Sequence, residues 1–337
     1  MVSRPNAYLL AFVIVVFVAS LPLWANQGWV FIGGVIMIEA LFCLSWNILF
    51  GFTGLATFGH AAFFAMGAYL VGGSLRLHPE IPFLLLIPGA AVLGAVAAVA
   101  VGLVALRRTG GLQLAILTLA LSEVLYIIIN NTHSLGGADG LAGIPRPTID
   151  LLVAEISLRS GAAYYWFLLV TCGSLALALW WLVHSRFGRI LRCIKQDAER
   201  TAFIGVNVDR YRLAAFVVSG SIAAVAGGLS APWTQIVTPS VGSWVHSVQA
   251  ILNSLMGGAG FFWGPAIGTL VFAGIDYITR TYAGMSEIVV GGILLVVVLA
   301  FPGGILGALS VLRHKRGTAR QEARTPVSAQ PAKEPAE

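Results

Sequence analysis

The sequence predicts an all-α fold: a polytopic membrane bundle of about ten transmembrane helices with glycine-rich interrupted segments, both termini cytosolic. Three observations predict it. The chain is 58 % hydrophobic and only 10 % charged, with mean hydropathy +0.88, whereas soluble domains carry about 25 % charged residues. Apolar runs near 20 residues recur along it, and a run of that length crosses the ~30 Å hydrocarbon layer as a helix. The basic residues, finally, gather in a few connecting segments.

Taken in order, the first run is 8–25. Only Arg4 precedes it, and Ser20-Leu21-Pro22-Leu23-Trp24 offers no small-x-small cleavage site, so a retained span is expected rather than a secretion signal. Runs at 31–50, 60–75, 83–106 and 112–130 follow. The loop 131–163 holds two turn-rich breaks, Gly136-Gly137-Ala138-Asp139-Gly140 and Ile144-Pro145-Arg146-Pro147. It is large enough for a lid or docking surface. After the run 164–183 comes the charged segment 184–212, then runs at 213–231, 247–258, 264–280 and 287–310. Those at 60–75 and 247–258 are short. One membrane domain therefore covers 1–312. The tail, 313–337, is rich in Ala, Pro, Lys, Arg and Glu with no apolar period, and reads as a disordered cytosolic segment.

Threading these runs with the N-terminus inside puts sixteen of the twenty basic residues in the cytosol: Arg4, Arg107, Arg108, seven in 184–212 and six in the tail. Arg76, Arg146, Arg159 and Arg280 remain outside. This is the asymmetry of the positive-inside rule, so the net charge of +6 is a topological signal. Beyond the segment 184–212 and the tail the basic residues are scattered, without the aromatic interleaving of strand-binding proteins.

Within 184–212, Phe187, Ile190, Leu191, Ile194, Ala198 and Ala202 recur at three- and four-residue spacing and share one helical face. Arg186, Arg189, Arg192, Lys195 and Arg200 cover the rest. Such a basic amphipathic helix either docks on a cytosolic partner or lies on the inner leaflet with its arginines among anionic headgroups.

Two glycine-rich breaks stand near the membrane, Gly51 to His60 and Gly257 to Pro265. Each follows an out-to-in run and precedes an in-to-out one. Interrupted segments in the two halves of a chain point to a transport pathway; glycine turns with small-residue helix packing are the alternative. On the pathway reading Asn47, Thr53, Gly54, Gly59, His60, Glu123, Asn253, Gly257, Gly258 and Gly260 line it. Glu39, Glu123 and Asp276 are ionisable groups in or near spans, where charge is costly. Glu123, near the middle of its run, either faces a subunit or cavity or is hydrogen-bonded within the bundle. His60 either contacts substrate or caps a helix.

Cys43, Cys172 and Cys193 form no disulfide framework or metal spacing. The sequence holds no Ser/His/Asp arrangement, no paired carboxylates and no GxxxxGK[ST] loop. An enzyme is not expected, and transport driven by ATP needs a separate ATPase.

An ordered set of motifs resembles a known family. These are Asn47-Ile48-Leu49-Phe50-Gly51-Phe52-Thr53-Gly54, Phe58-Gly59-His60-Ala61-Ala62-Phe63-Phe64, Gly136-Gly137-Ala138-Asp139-Gly140-Leu141, Phe187-Gly188-Arg189, Gly205-Val206-Asn207-Val208, Trp263-Gly264-Pro265-Ala266-Ile267-Gly268 and Phe301-Pro302-Gly303-Gly304-Ile305-Leu306-Gly307. Together they cover roughly 35 to 312 and resemble permease subunits of branched-chain (hydrophobic) amino-acid ABC importers. Arg200, Thr201, Cys193, Phe261 and Asn253-Ser254 depart from the family pattern.

The resemblance implies a multi-pass protein of the cell inner (cytoplasmic) membrane, paired with a second homologous permease subunit. Two cytosolic ABC ATPases would drive the pair, and a periplasmic substrate-binding protein would deliver a small amino acid. ATP and magnesium would be used by the ATPases, this chain binding no cofactor. It further implies that 186–205 contains a coupling helix, with Phe187, Gly188, Arg189, Ile190, Arg192, Ile194, Ala202 and Gly205 as coupling residues. Its apolar side, Leu191 included, is expected to enter the ATPase, with Arg189 and Arg192 pairing with acidic groups on the groove rim. A permease for urea, short amides or sugars, or an ion-driven carrier, are the alternative readings.

Overall fold

Asn26 separates the first two helices. Its side chain accepts the Trp29 backbone N–H at 3.1 Å, capping the second helix. The computed structural model describes residues 4–108, 112–151, 154–279, 291–292, 295 and 303–308. Helices α1 (Arg4–Trp24) and α2 (Gln27–Asn47) are thus nearly contiguous. A π-helical turn (Ile48–Thr53) continues α2, and α3 (His60–Leu77), α4 (Phe83–Arg108) and α5 (Leu112–Asn131) follow.

Strand β1 (Leu141–Ala142) and a hairpin of β2 (Thr148–Leu151) and β3 (Ala154–Ser157) precede α6 (Gly161–His184). Two short helices, α7 (Arg186–Gln196) and α8 (Ala198–Phe203), lead into α9 (Val208–Thr234). Strand β4 (Ile236–Val237), a 3-10 turn (Pro239–Gly242), α10 (Trp244–Gly257) and α11 (Gly264–Thr279) complete the described elements.

Helix α9 is the core. Its small residues let α3 and α4 approach until backbone meets backbone. A Cβ on Gly67 would overlap the Ala224 carbonyl, and one on Gly227 would overlap the Phe64 carbonyl. In lipid no hydrophobic force joins helices, so such close van der Waals approach carries the association. The outer faces of α4, α5 and α6 stay apolar and exposed, with Leu85, Val96, Ile127, Val170 and Trp181 pointing outward. Helix α1 hangs on α6, where Tyr165 and Trp166 donate to the carbonyls of Val18 and Ala19 at 2.9 and 3.0 Å.

Five of the described helices are long and apolar enough to cross a membrane: Gln27–Thr53, Phe83–Leu106, Gln113–Asn131, Gly161–His184 and Val208–Thr234. The chain is therefore a predominantly helical multi-pass protein. The expected runs 31–50 and 213–231 prove to be the middles of longer helices. The latter extends into charged sequence because the Asn207 side chain caps it, accepting from Arg210 N at 3.1 Å. Helix α10 has 14 residues, a rise of about 21 Å at 1.5 Å per residue, short of the hydrocarbon thickness. The expected run 287–310 lies largely outside the described residues, and the tail 313–337 wholly so.

Two expectations need correction. The loop 131–163 carries strands: β1 pairs with β4 across ninety-odd residues, Leu141 opposite Val237 and Ala142 opposite Ile236. Two-residue strands have no periodicity to read. The amphipathic face from Phe187 to Ala202 is not continuous either. Asp197 (φ −159°, ψ 105°) leaves the helix and caps the next, its side chain accepting from Arg200 N at 3.0 Å.

Candidate functional site

The two glycine-rich breaks meet. At the end of α2 the buried Asn47 donates from Nδ2 to the Phe261 carbonyl at 3.4 Å. A Cβ on Gly51 would lie only 2.5 Å from the Ala259 carbonyl and would overlap the Asn47 side chain. Gly54 ends the π turn with φ +75°, a left-handed conformation natural to glycine. Thr53 is buried, its hydroxyl donating to the Leu49 carbonyl.

The irregular segment after the turn is pinned on both sides. Trp46 Nε1 donates to the Thr57 carbonyl at 2.9 Å, and Phe58 N to Thr118 Oγ1 on α5 at 3.2 Å. Gly59 is required there, since a Cβ would overlap the Thr118 carbonyl. On the other side, α10 and α11 close on Gly257, whose Cβ would overlap the Gly264 carbonyl. Gly257 thus serves close helix packing, Gly258 (φ +108°) makes the turn, and Gly260 is exposed with open space around it.

Above the breaks runs a column of buried polar groups. His60, first in α3, is fully buried rather than an open helix start. Its Nε2 lies 2.9 Å from Ser45 Oγ, whose own proton goes to the Phe42 carbonyl, so Nε2 is the donor. His60 Nδ1, Asn47 Oδ1, Asn253 Oδ1 and Ser254 Oγ are buried without a hydrogen-bond partner. Buried polar atoms are nearly always paired. These unpaired atoms lie on α2, α3 and α10 and leave that part of the core polar.

Phe42 lies across this column. Its ring stacks on His60 (centroids 5.3 Å) and on His246 of α10 (4.8 Å). Beyond it a cavity of about 580 Å³ opens between α2, the 235–243 loop and the first turns of α10. His246 Nε2 faces Glu39 Oε1 and Oε2 at 3.1 and 3.2 Å, and its Nδ1 donates to the Val241 carbonyl at 2.8 Å. Glu123 does not reach this cavity. It accepts the Trp244 backbone N–H at 3.2 Å, holding the start of α10 from α5, so it is hydrogen-bonded within the bundle. The pair Glu39–His246 and the Phe42 barrier escaped sequence reasoning. The one available signal was a carboxylate inside an apolar run.

At the opposite end sits the basic segment. Leu191 and Ile194 are buried and Phe187 stacks on Tyr211 (5.7 Å), so the apolar face of α7 is taken by this chain's own bundle. Gly188 lies where a Cβ would overlap the Val183 carbonyl, and Ile190 is half-buried. Arg192 donates to the Val183 carbonyl at 3.2 Å and Arg189 reaches the His184 carbonyl at 3.5 Å. These cations cap the end of α6, a place the helix dipole favours; Phe187, Leu191, Ile194, Arg189 and Arg192 are thus engaged internally. Lys195 donates to the Gly51 carbonyl at 2.9 Å, tying α7 to the first break. What protrudes is α8 and its end: Ala202, Phe203 (89 % exposed), Ile204 (77 %) and Gly205 with φ +88°. Among the described residues no cluster of three His, Cys, Asp or Glu could hold a metal ion.

Residues 29–299 match the model of the branched-chain amino acid transport system / permease component family. The chain belongs to this permease family. It is 26 % identical over 330 residues to the high-affinity branched-chain amino acid transport system permease protein LivM of Escherichia coli (strain K12), covering 92 % of this chain and 77 % of that protein. Over 285 residues it is 24 % identical to LivH of Salmonella typhimurium, covering 80 % of this chain and 91 % of the relative. A probable LivM of Methanocaldococcus jannaschii is 25 % identical over 272 residues, covering 71 % and 77 %. No solved structure is matched significantly. The joined breaks, the buried polar groups and the cavity lie within the residues that the family model matches.

Proposed function

We propose that this chain is the transmembrane permease subunit of an ATP-driven importer moving branched-chain or other hydrophobic amino acids across the inner membrane. The family match along nearly the whole bundle carries the reading. Both termini and the face bearing α7 and α8 are cytosolic, and the 131–163 and 235–243 loops lie outside, in keeping with the positive-inside distribution of charge.

The chain pairs with a second, related permease. Two cytosolic ATPases bind ATP and magnesium, and a binding protein outside supplies the solute. Phe203, Ile204 and Ala202 enter the ATPase groove, and Gly205 turns the chain back toward α9. Movement of α8 is passed by α7 through Lys195 to the π turn, so hydrolysis reaches the break where Asn47 and Phe261 meet. Alternating access follows when the Phe42 barrier and the joined breaks open in turn. Selectivity resides mainly in the binding protein, which accords with the few polar groups in the spans. The test is uptake of labelled leucine by the reconstituted complex. It should require ATP, both permeases and the binding protein, and uptake persisting without the ATPases refutes the reading.

A further inference from the structure

The cavity above Phe42 has two kinds of wall. Val35, Ile38 and Val245 give its lining an aliphatic part, while Glu39 and His246 meet in it beside hydroxyl side chains such as Thr234 and Ser243. Their side chains are 22 % and 12 % exposed, so both reach the opening. The Val241 carbonyl can only accept, hence His246 Nδ1 carries a proton. Nε2 faces both carboxylate oxygens; with a proton on Nε2 the two groups form an ion pair. Its volume lies within the roughly 300–1,000 Å³ of small-molecule pockets.

We propose that this cavity is a transit site for a zwitterionic amino acid, which enters between Glu39 and His246 and replaces one ion pair by two. Glu39 takes the α-ammonium, His246 takes the α-carboxylate, and Val35, Ile38 and Val245 cover the aliphatic side chain. The inference rests on the importer reading and adds the chemistry of its entrance. A zwitterion leaves the site's charge unchanged and both partners compensated. A solute bearing a single charge satisfies one partner and strands the other, a costly state in a partly buried setting. An uncharged solute such as a sugar gains nothing from separating the pair.

The assembled complex, with ATPases and partner permease but without binding protein, provides the test in lipid nanodiscs. Cys193→Ser removes the exposed native thiol, and Ser240→Cys places a new one on the exposed rim of the cavity. Millimolar L-leucine should slow maleimide labelling of that cysteine by about fivefold or more. Isocaproate, which lacks the amine, and isoamylamine, which lacks the carboxylate, should slow it less than about twofold. Glu39→Gln should abolish the leucine effect. Absence of protection by leucine overturns the proposal, as does equal protection by all three compounds; the ligand series needs no Glu39 variant. Leucine uptake by the unmodified complex is scored separately. Uptake without protection removes the cavity proposal alone, whereas a folded complex that takes up no hydrophobic amino acid removes the reading beneath it.

Discussion

Lys195 reaches from α7 into the carbonyl left over where α2 widens into a π turn. Such turns often mark functional positions because their backbone bonding is easily rearranged. Replacing Lys195 with Met should leave the fold and basal ATP hydrolysis intact and lower uptake several-fold in proteoliposomes, with Lys195→Arg restoring most of it. At Gly67 the constraint is steric: Gly67→Val forces a branched side chain into the Ala224 carbonyl. An overpacking cost of about 1–3 kcal/mol is expected, seen as a lower thermal midpoint and reduced yield of monodisperse protein. Single residues were unevenly legible in the sequence. Asn47, Gly51 and Gly59 stood out within a recognisable break, whereas Glu39 and His246 are 207 positions apart and nothing local pairs them. His60 was visible as a histidine but its complete enclosure was not, since burial in the α3 start depends on Phe42 and Ser219 from other helices.

At the scale of elements, the segment expected to hold one amphipathic helix forms two, α7 and α8. The periodic apolar face was legible, but a period cannot say whether a stripe faces its own bundle or a partner. In this chain Leu191 and Ile194 of α7 are buried, while Phe203 at the end of α8 and the following Ile204 are exposed. Introducing Asp at both Phe203 and Ile204 should abolish stimulation of ATP hydrolysis by the loaded binding protein. Circular dichroism and gel filtration of the permease should not change, because neither side chain touches the core. Helix α10 depends on α5 through the Glu123 cap. Glu123→Ala should cost about 1 kcal/mol, measured as a lower midpoint of thermal unfolding in detergent, with Glu123→Gln losing less because an amide oxygen still accepts.

For the molecule as a whole, composition alone implied a helical membrane protein, and the long apolar helices bear that out. The count was harder to read, since α10 and α11, with 14 and 16 residues, are shorter than a full span and the run 287–310 lies largely outside the described residues. The proposed orientation has a direct test. The native thiol of Cys193, exposed on α7, should react with an impermeant maleimide only in inside-out vesicles, and a cysteine at Ser240 only in intact cells. The reverse pattern would invert the arrangement and place α8 beyond reach of any ATPase.

The pairing of β1 with β4 also has a mechanical meaning. Leu141 belongs to the segment leaving α5, and Val237 to the segment joining α9 to α10. Stitched together by main-chain pairing, these two lengths of chain form one clasp beside the cavity that Ile236 and Val237 line. On the proposed importer reading, a protein seated on that clasp would pull on three helices at once and reach the entrance without a dedicated messenger side chain.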